Sequence, residues 1–342
     1  MQPTLTDSLV LSQAIPLFEK ERLAAGYSPA TMRSIRVTLG FLLTHSGDQA
    51  LDAVTPKLVA DFTGWRRKAG DADGTLNKRR YHLAAFFEWA RANGYMPPAS
   101  NPLSTTRAVK VMPSAKLRIP ADEFPRLLDA APTPKDRIIV ALGLFLFLRG
   151  SEIAELRWQD VDYKSQEIHV TVPKTKQRDI MPISKELDYE LRRWAVEYGR
   201  QAGIVRRENY IVPASVNHLN HEPLLVPGKP HPQAYRNVQR VLELAGYQVR
   251  GENGESLREG QHTLRRSGAR ALFDARLAEG YDGALRQVQA MLHHTTGAMT
   301  EKYLGLDIDR QVRNSAIKGK AMFAKNLPVQ ERENMKHLAV VS

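Results

Sequence analysis

Four side chains in one late stretch have types that together can act on a phosphate ester. The segment 260–305 reads GQHTLRRSGARALFDARLAEGYDGALRQVQAMLHHTTGAMTEKYLG and carries His262, Arg265, His294 and Tyr303. A tyrosine hydroxyl titrates at about 10, so at neutral pH it is protonated and a poor nucleophile. It becomes useful where arginines and neutral nitrogen donors hold an acceptor beside it and stabilise the charge that develops. His262 and Arg265 are three positions apart, so on a helix they share a face and can grip one anion. Arginine suits that role because its planar fork matches phosphate oxygens and never loses its charge. A phosphodiester is the natural substrate for such a set. Each feature alone has a plainer reading, the HxxR pair as a solvated helix face and the tyrosine as core or surface.

The 342 residues are enough for two domains, each with its own core. A net charge of +12 favours a polyanionic partner, through phosphate contacts that release counterions. Acidic membranes also attract basic chains, but no apolar run approaches the roughly 20 residues that span a bilayer, and no basic amphipathic anchor is present. The longest apolar run, 138–148, contains Gly143 and reads as a buried core helix. The opening MQPTLTDSLVLSQ lacks the basic start and apolar stretch of a secretory leader. The absence of cysteine excludes disulfides, thiolate catalysis and cysteine-ligated zinc. The expectation is a cytoplasmic protein that acts on nucleic acid, with no membrane partner.

The first hundred residues read as helices only. An apolar-periodic segment spans 8–26, and Ser28-Pro29 then supplies an N-cap and a first helical residue ahead of Ile35, Leu39, Leu42 and Leu43. Thr55-Pro56 repeats the signal before Leu58, Val59 and Phe62. A fourth helix follows Gly74, with Leu76, Leu83, Phe86, Phe87 and Ala90 inward. Arg66, Arg67 and Lys68 close the third helix, and Lys78, Arg79 and Arg80 mark the outer face of the fourth. Both triplets are candidate phosphate contacts. The alternative is solvated helix ends, where cations suit the C-terminal dipole. The stretch from 97 has several prolines, no apolar period, and Arg107, Lys110, Lys116 and Arg118, so 97–119 reads as an extended basic linker. A basic strap between two domains suggests a clamp around a duplex.

Beyond it, 122–131 opens a new helical pattern and 135–148 is the buried helix. Arg149 follows, either entering a cleft or capping that helix with Gly150 as the stop. The segment 166–173 alternates, with Ile168, Val170 and Val172 on one face, and 178–183 returns, leaving Lys174 and Lys176 in a hairpin turn. His218, His221 and His231 lie in a Pro/Asn-rich loop with neither a helical frame nor a carboxylate companion. His293 and His294, adjacent on a helix, would point apart. No metal site is expected.

Taken in order, RGSE at 149–152, KTK at 174–176, HTLR at 262–265, LHH at 292–294 and EKYLG at 301–305 resemble the tyrosine recombinase, or phage-integrase, family. The four-helix region resembles that family's core-binding domain, so the likeness covers most of 8–320. It implies a mainly α fold with a small β-sheet or hairpin in the C-terminal domain, arranged as a two-domain DNA clamp. The parts would be a helical core DNA-binding domain over 1–96, the linker over 97–119, a catalytic domain over 120–308 and a C-terminal helix or tail over 309–342. That tail carries Val312, Ile317, Met322 and Phe323 and would pack on a neighbouring protomer or return to its own domain.

The resemblance also implies roles. Tyr303 would be the nucleophile that forms a 3′-phosphotyrosine link, and Arg149 and Arg265 would bind the scissile phosphate. Lys174, with Lys176 as substitute, would protonate the leaving 5′ oxygen. His262 would assist proton transfer at the nucleophile, His294 would donate to a non-bridging oxygen, and Glu152 would support the site. Two departures stand out. His293 occupies a position where the family usually has glycine, so two histidines compete to face the phosphate. The interval from Arg265 to His294 is also long, with AEGYDGA expected as an inserted turn.

The implied enzyme is a site-specific recombinase that needs no metal or cofactor. It would work as a homo-tetramer on paired double-stranded DNA sites, most simply to integrate or excise a phage or mobile element. DNA-bending or directionality proteins are further candidate partners, and no arm-type DNA-binding domain is expected before residue 8. A chromosome or plasmid dimer resolvase shares the motifs. A type IB topoisomerase and a DNA-binding protein with a degenerate site are more distant alternatives.

Overall fold

The computed structural model describes residues 9–111, 116–172, 177–216, 224–232, 234–251, 257 and 259–306. The chain divides into two compact units between residues 114 and 115.

The first unit holds α1 (Leu11–Ala24), α2 (Pro29–Ser46), α3 (Pro56–Lys68) and α4 (Asp73–Ala92). Local chemistry sets two of the helix starts. Ser28 Oγ accepts the Thr31 N–H at 3.1 Å and Thr55 Oγ1 accepts the Leu58 N–H at 3.2 Å. In each case proline takes the first helical position, where an N–H would go unpaired. The helices close on a core that includes Phe18, Leu39, Phe62, Leu83 and Phe86, each such side chain stabilising the unit by about 1.5–3 kcal/mol. Helix α4 begins at Asp73, so Gly74 lies inside its first turn.

The stretch 97–119, read above as an extended linker, is fastened at both ends. Leu103 is buried in the core of the first unit, and Asn77 of α4 exchanges hydrogen bonds of 2.8 and 2.7 Å with the backbone of Val109. At the other end Ile119 is buried in the second unit, its N–H donating to Ser267 at 2.8 Å. Isolated apolar residues in a proline-rich segment found cores that periodicity does not reveal.

The second unit begins with α5 (Phe124–Asp129) and α6 (Pro134–Phe145), followed by α7 (Gly150–Glu155). Helix α6 is buried on all sides and packs against α8 (Lys185–Ala202), α9 (Ala234–Leu244) and α10 (Gln261–Arg276). Gly143 lies within α6, and a Cβ there would come 2.5 Å from Gln261 Nε2. A Cβ on Gly268 of α10 would meet the Leu144 carbonyl at 1.8 Å, so two glycines allow these helices to approach closely. The apolar run 138–148 is therefore not one helix. Helix α6 stops at Phe145, Phe147 turns left-handed at φ 54°, and Arg149 is the residue before α7. The alternative of a helix cap with Gly150 as the stop is corrected: Gly150 starts a helix.

Strands β1 (Val161–Asp162), β2 (Glu167–Val172) and β3 (Gln177–Pro182) form an antiparallel sheet in the order β1-β2-β3. Ile168 and Val170 face the core, with Met181 opposite Ile168. Strands β4 (Pro213–Val216) and β5 (Leu224–Pro230) pair separately. Lys174 and Lys176, His218 and His221, and the tail with Val312, Ile317, Met322 and Phe323 lie outside the described residues. After α10, a short turn over Leu277–Glu279 and Gly280 at φ 111° lead into α11 (Tyr281–Leu292), so only the AEG of AEGYDGA makes the expected turn and YDGA is the first turn of a helix. Helix α12 (Gly297–Leu304) ends at Gly305, which is left-handed, and a Cβ there would collide with the Arg118 guanidinium.

Candidate active site

The site is built around a buried carboxylate. Glu152 sits at the third position of α7 and reaches back to accept the Arg149 backbone N–H at 2.7 Å, capping the helix. Its other oxygen accepts from Arg149 Nη1 at 2.7 Å, and Arg265 Nη1 stands 3.6 Å away. The Glu152 side chain is fully buried, whereas that of Arg149 is 37% exposed and so can reach a ligand. Two guanidiniums against one carboxylate leave one net positive charge, which suits a phosphodiester.

Arg265 projects from α10 and is 1% exposed. It donates to the Leu292 carbonyl at 2.6 Å and to the Phe147 carbonyl. Those acceptors lie at the end of α11 and in the left-handed turn between α6 and α7, so this one side chain ties three segments together. Burial, and then the neighbouring Arg149, hold its pKa below the ordinary arginine value. His262, one turn earlier on α10, keeps contact with solvent. Burial of part of its ring, and then Arg265, Arg266 and Arg149, lower its pKa, which keeps the imidazole neutral and able to accept a proton.

The two adjacent histidines lie beyond α11, not on it. His293 caps the helix in the left-handed conformation, φ 52° and ψ 39°, which an L-residue adopts at a cost and glycine without one. A glycine preference at this position therefore has a backbone cause. The reading of the pair as adjacent helical residues is corrected accordingly. The His293 ring turns to β3, with Nδ1 3.2 Å from Asp179 Oδ2. His294 turns to Tyr303: the rings meet edge to face, 5.3 Å apart at 82°. Its Nδ1 lies 3.1 Å from Thr300 Oγ1. Burial, followed by Arg265 and Arg149, takes its pKa down to about 4, so it is neutral at pH 7.

Tyr303 comes from α12. Its hydroxyl is buried beside the Arg265 guanidinium, which is near enough to lower the phenol pKa but not aligned as a regular hydrogen bond. Burial pushes the phenol pKa up, and Arg265, Arg266 and Arg149 only partly oppose that, so the free protein holds a protonated phenol. Arg149, Arg265, His262, His294 and Tyr303 are thus brought into one electrostatic neighbourhood from α7, α10 and the α11–α12 region. Sequence reasoning missed Thr300 and Asp179, the partners of the two histidines. The Thr at the third position before the tyrosine was the one available signal.

A family model for the phage integrase family matches residues 118–310, and one for the phage integrase N-terminal SAM-like domain matches residues 18–94. The chain belongs to the phage integrase family. It is a tyrosine recombinase, an enzyme of site-specific DNA recombination. The tyrosine recombinase XerC of Xylella fastidiosa (strain M23) is 26% identical over 290 residues, covering 82% of this chain and 88% of that protein. A lambda integrase dimer bound to a COC′ core site superposes with a TM-score of 0.65 at 20% identity, over 87% of this chain and 77% of that one. A lambda integrase tetramer bound to a Holliday junction gives 0.65 at 20%, over 87% and 78%. These likenesses show a shared fold, helical with small sheets.

The candidate DNA contacts in the recombinase's first unit separate into two groups. Arg66 and Arg79 both grip Asp71: Arg66 at 2.9 and 3.1 Å, Arg79 at 2.5 and 3.2 Å. All three side chains are 12% exposed, and the two arginines hold Asp71 well below the usual carboxylate range. Arg80 donates to the Thr106 carbonyl at 3.0 Å, and Arg67 pairs with Asp73 at 3.1 Å while remaining exposed. Lys68, Lys78, Arg107 and Lys110 are exposed. Lys78 also lines a groove of about 360 Å³ with Arg33, Ser34, Thr75, His82 and the Asp71-bound Arg79. Arg33 was not singled out from the sequence; it is exposed on α2 one turn before Arg36, which pairs with Glu19. Among the described residues, no helix is long and apolar enough to cross a membrane, and no cluster of three or more metal-binding side chains occurs.

Proposed function

We propose that Tyr303 is the nucleophile of this recombinase. Its Oη forms a bond to the phosphorus of a DNA phosphodiester while the bond to the deoxyribose 5′ oxygen breaks, leaving a 3′-phosphotyrosine and a free 5′-hydroxyl. Arg149 and Arg265 neutralise the charge on the phosphorane, work that metal ions do in many phosphoryl transfers. His262 takes the phenol proton. Lys174, with Lys176 as second candidate, delivers a proton to the leaving oxygen. His294 donates to a non-bridging oxygen, which requires the tautomer with its proton on Nε2; the Thr300 hydroxyl selects it when its one proton goes to Nδ1 at 3.1 Å in place of the Thr296 carbonyl at 3.4 Å. Attack by a 5′-hydroxyl from a second duplex reverses the step and exchanges strands. The bond energy is kept in the ester, so no cofactor is consumed.

The observation that supports this reading is that Tyr303, His294 and His262 all lie within the electrostatic reach of Arg265 and Arg149, the two arginines held by the buried Glu152 carboxylate. Paired double-stranded DNA sites and a homo-tetramer are the working assembly, as in the lambda integrase complexes on a core site and on a Holliday junction. In the first unit, Lys68, Lys78, Arg107, Lys110 and Arg33 suit phosphate contact, while Arg66, Arg79 and Arg80 are framework. Integration or excision of a phage or mobile element is the leading use. Resolution of replicon dimers is the second, favoured by the XerC relatives. An attachment site beside the gene separates the two.

The test is covalent trapping on nicked duplexes that carry the crossover site, in chelator. Wild type should give an adduct on a denaturing gel, and Tyr303→Phe should give none. Good DNA binding with no adduct on an authenticated site would overturn the assignment.

A further inference from the structure

We propose that Glu259 is a positioning residue for His262: its buried carboxylate fixes the first turn of α10 and ties that turn to the end of the linker. The inference rests on the reading that His262 takes the phenol proton.

His262 is the second residue of α10. The first N–H groups of a helix have no partner within it, so a first turn without outside anchors frays. Among the described residues no hydrogen bond holds the His262 ring, so its place follows from its backbone. The residues on either side of it are buried and bonded. Gln261 donates to the Leu148 carbonyl at 3.2 Å, one residue before Arg149. The Thr263 hydroxyl accepts the Gly260 N–H at 2.9 Å and donates to Glu259 Oε2 at 2.6 Å.

Glu259 is 3% exposed, and both of its oxygens are engaged. Oε2 also accepts from Arg266 at 2.6 Å, and Oε1 accepts the Leu117 N–H at 3.3 Å. Three donors on one carboxylate offset its burial. Arg266 in turn donates to the Leu117 carbonyl at 3.3 Å, and Ser267 accepts the Ile119 N–H at 2.8 Å. Two successive arginines of α10 thus meet two different carboxylates. Arg265 stands near Glu152 in the phosphate site, and Arg266 pairs with Glu259. The Glu259 network holds the turn from outside the helix. A general base works only within hydrogen-bond reach of the proton it takes, and a displacement of about 1 Å can cost about 10²-fold in rate.

The test is a double-mutant cycle in single-turnover cleavage of a nicked duplex that carries the crossover site, with the full chain. Thr263→Val keeps the Glu259–Arg266 pair and removes the hydroxyl that joins it to the turn. Glu259→Gln removes the charge as well. Each should slow cleavage about tenfold at unchanged DNA affinity, and His262→Ala should slow it about 10²-fold. Added to His262→Ala, either substitution should cost no more than about twofold further, whereas added to Arg149→Ala it should still cost about tenfold. Arg266 lies close enough to His262 to lower its pKa. Glu259→Gln, which leaves that cation uncompensated, should therefore move the rising limb of the pH–rate profile toward acid, and Thr263→Val should not. Where Glu259→Gln melts too low to assay, Thr263→Val decides alone. A normal rate in Thr263→Val, or the same tenfold loss in the His262→Ala background, would overturn the positioning role while leaving His262 as the base. If His262→Ala cleaves at the wild-type rate, the base reading fails and takes this one with it.

Discussion

Each unit of the recombinase contains two arginines that share one carboxylate, and the two arrangements leave different amounts of cation exposed. Around Asp71, Arg66 and Arg79 each spend two donors on the carboxylate and lay their guanidiniums over Phe41, 4.1 and 4.8 Å from the ring centre. Little of either cation is left for a ligand. Around Glu152, Arg149 spends one side-chain nitrogen and remains 37% exposed, while Arg265 is anchored mainly by backbone carbonyls. Of the four, Arg149 keeps the most surface to offer a ligand. A cluster of arginines is thus a framework or a site according to what its carboxylate leaves unused.

The strongest way to test this contrast is to remove one arginine from each cluster. Arg149→Ala should slow single-turnover cleavage by about 10²–10³-fold, the usual cost of losing a donor to a developing oxyanion. Arg79→Ala should leave the rate of the bound complex within about twofold. The converse holds for stability. Asp71→Ala strands two largely buried cations and should cost about 3 kcal/mol in urea unfolding of the first unit, with little change in the rate of the bound complex.

Smaller effects sharpen the picture. Thr300→Val removes the hydroxyl at His294 Nδ1 and should lower the cleavage rate about tenfold at unchanged melting temperature. If it cleaves normally, tautomer selection by Thr300 is wrong. Acid should weaken the catalytic unit. His294 is held at about 4 in the folded state and His262 and His293 are also lowered, whereas unfolded histidines titrate at about 6.5. The unfolded chain therefore binds more protons below that value, so stability should be level above about pH 7 and fall as pH drops toward 4. A denaturation midpoint flat across this range would contradict the shifts. Smallest of all, Lys78→Ala should reduce the salt slope of DNA binding by about one, whereas Arg79→Lys, inside the Asp71 cluster, should not change it.

What could be read from the sequence follows the range of the interactions. The starts of α2 and α3 were legible at Ser28-Pro29 and Thr55-Pro56 because each cap is closed within three residues. The β2–β3 hairpin was legible from alternation. The place of Arg149 was not, because the chain reversal at Phe147 is bound up with its carbonyl accepting from Arg265, 118 residues away. The engagement of Arg66 and Arg79 was equally hidden: Asp71 lies in a loop, and nothing local says that both side chains converge on it. His293 was misjudged because a left-handed helix end is a matter of backbone geometry, which glycine announces and histidine does not.

The most direct measurement is mass-spectrometric mapping of the residue that carries DNA after trapping in chelator. The expected adduct lies on the peptide containing Tyr303, one of 11 tyrosines in the chain, and is absent from Tyr303→Phe. DNA attached to any other tyrosine, or an adduct that requires a divalent metal, would contradict the assignment of nucleophile and arginine-based charge neutralisation alike.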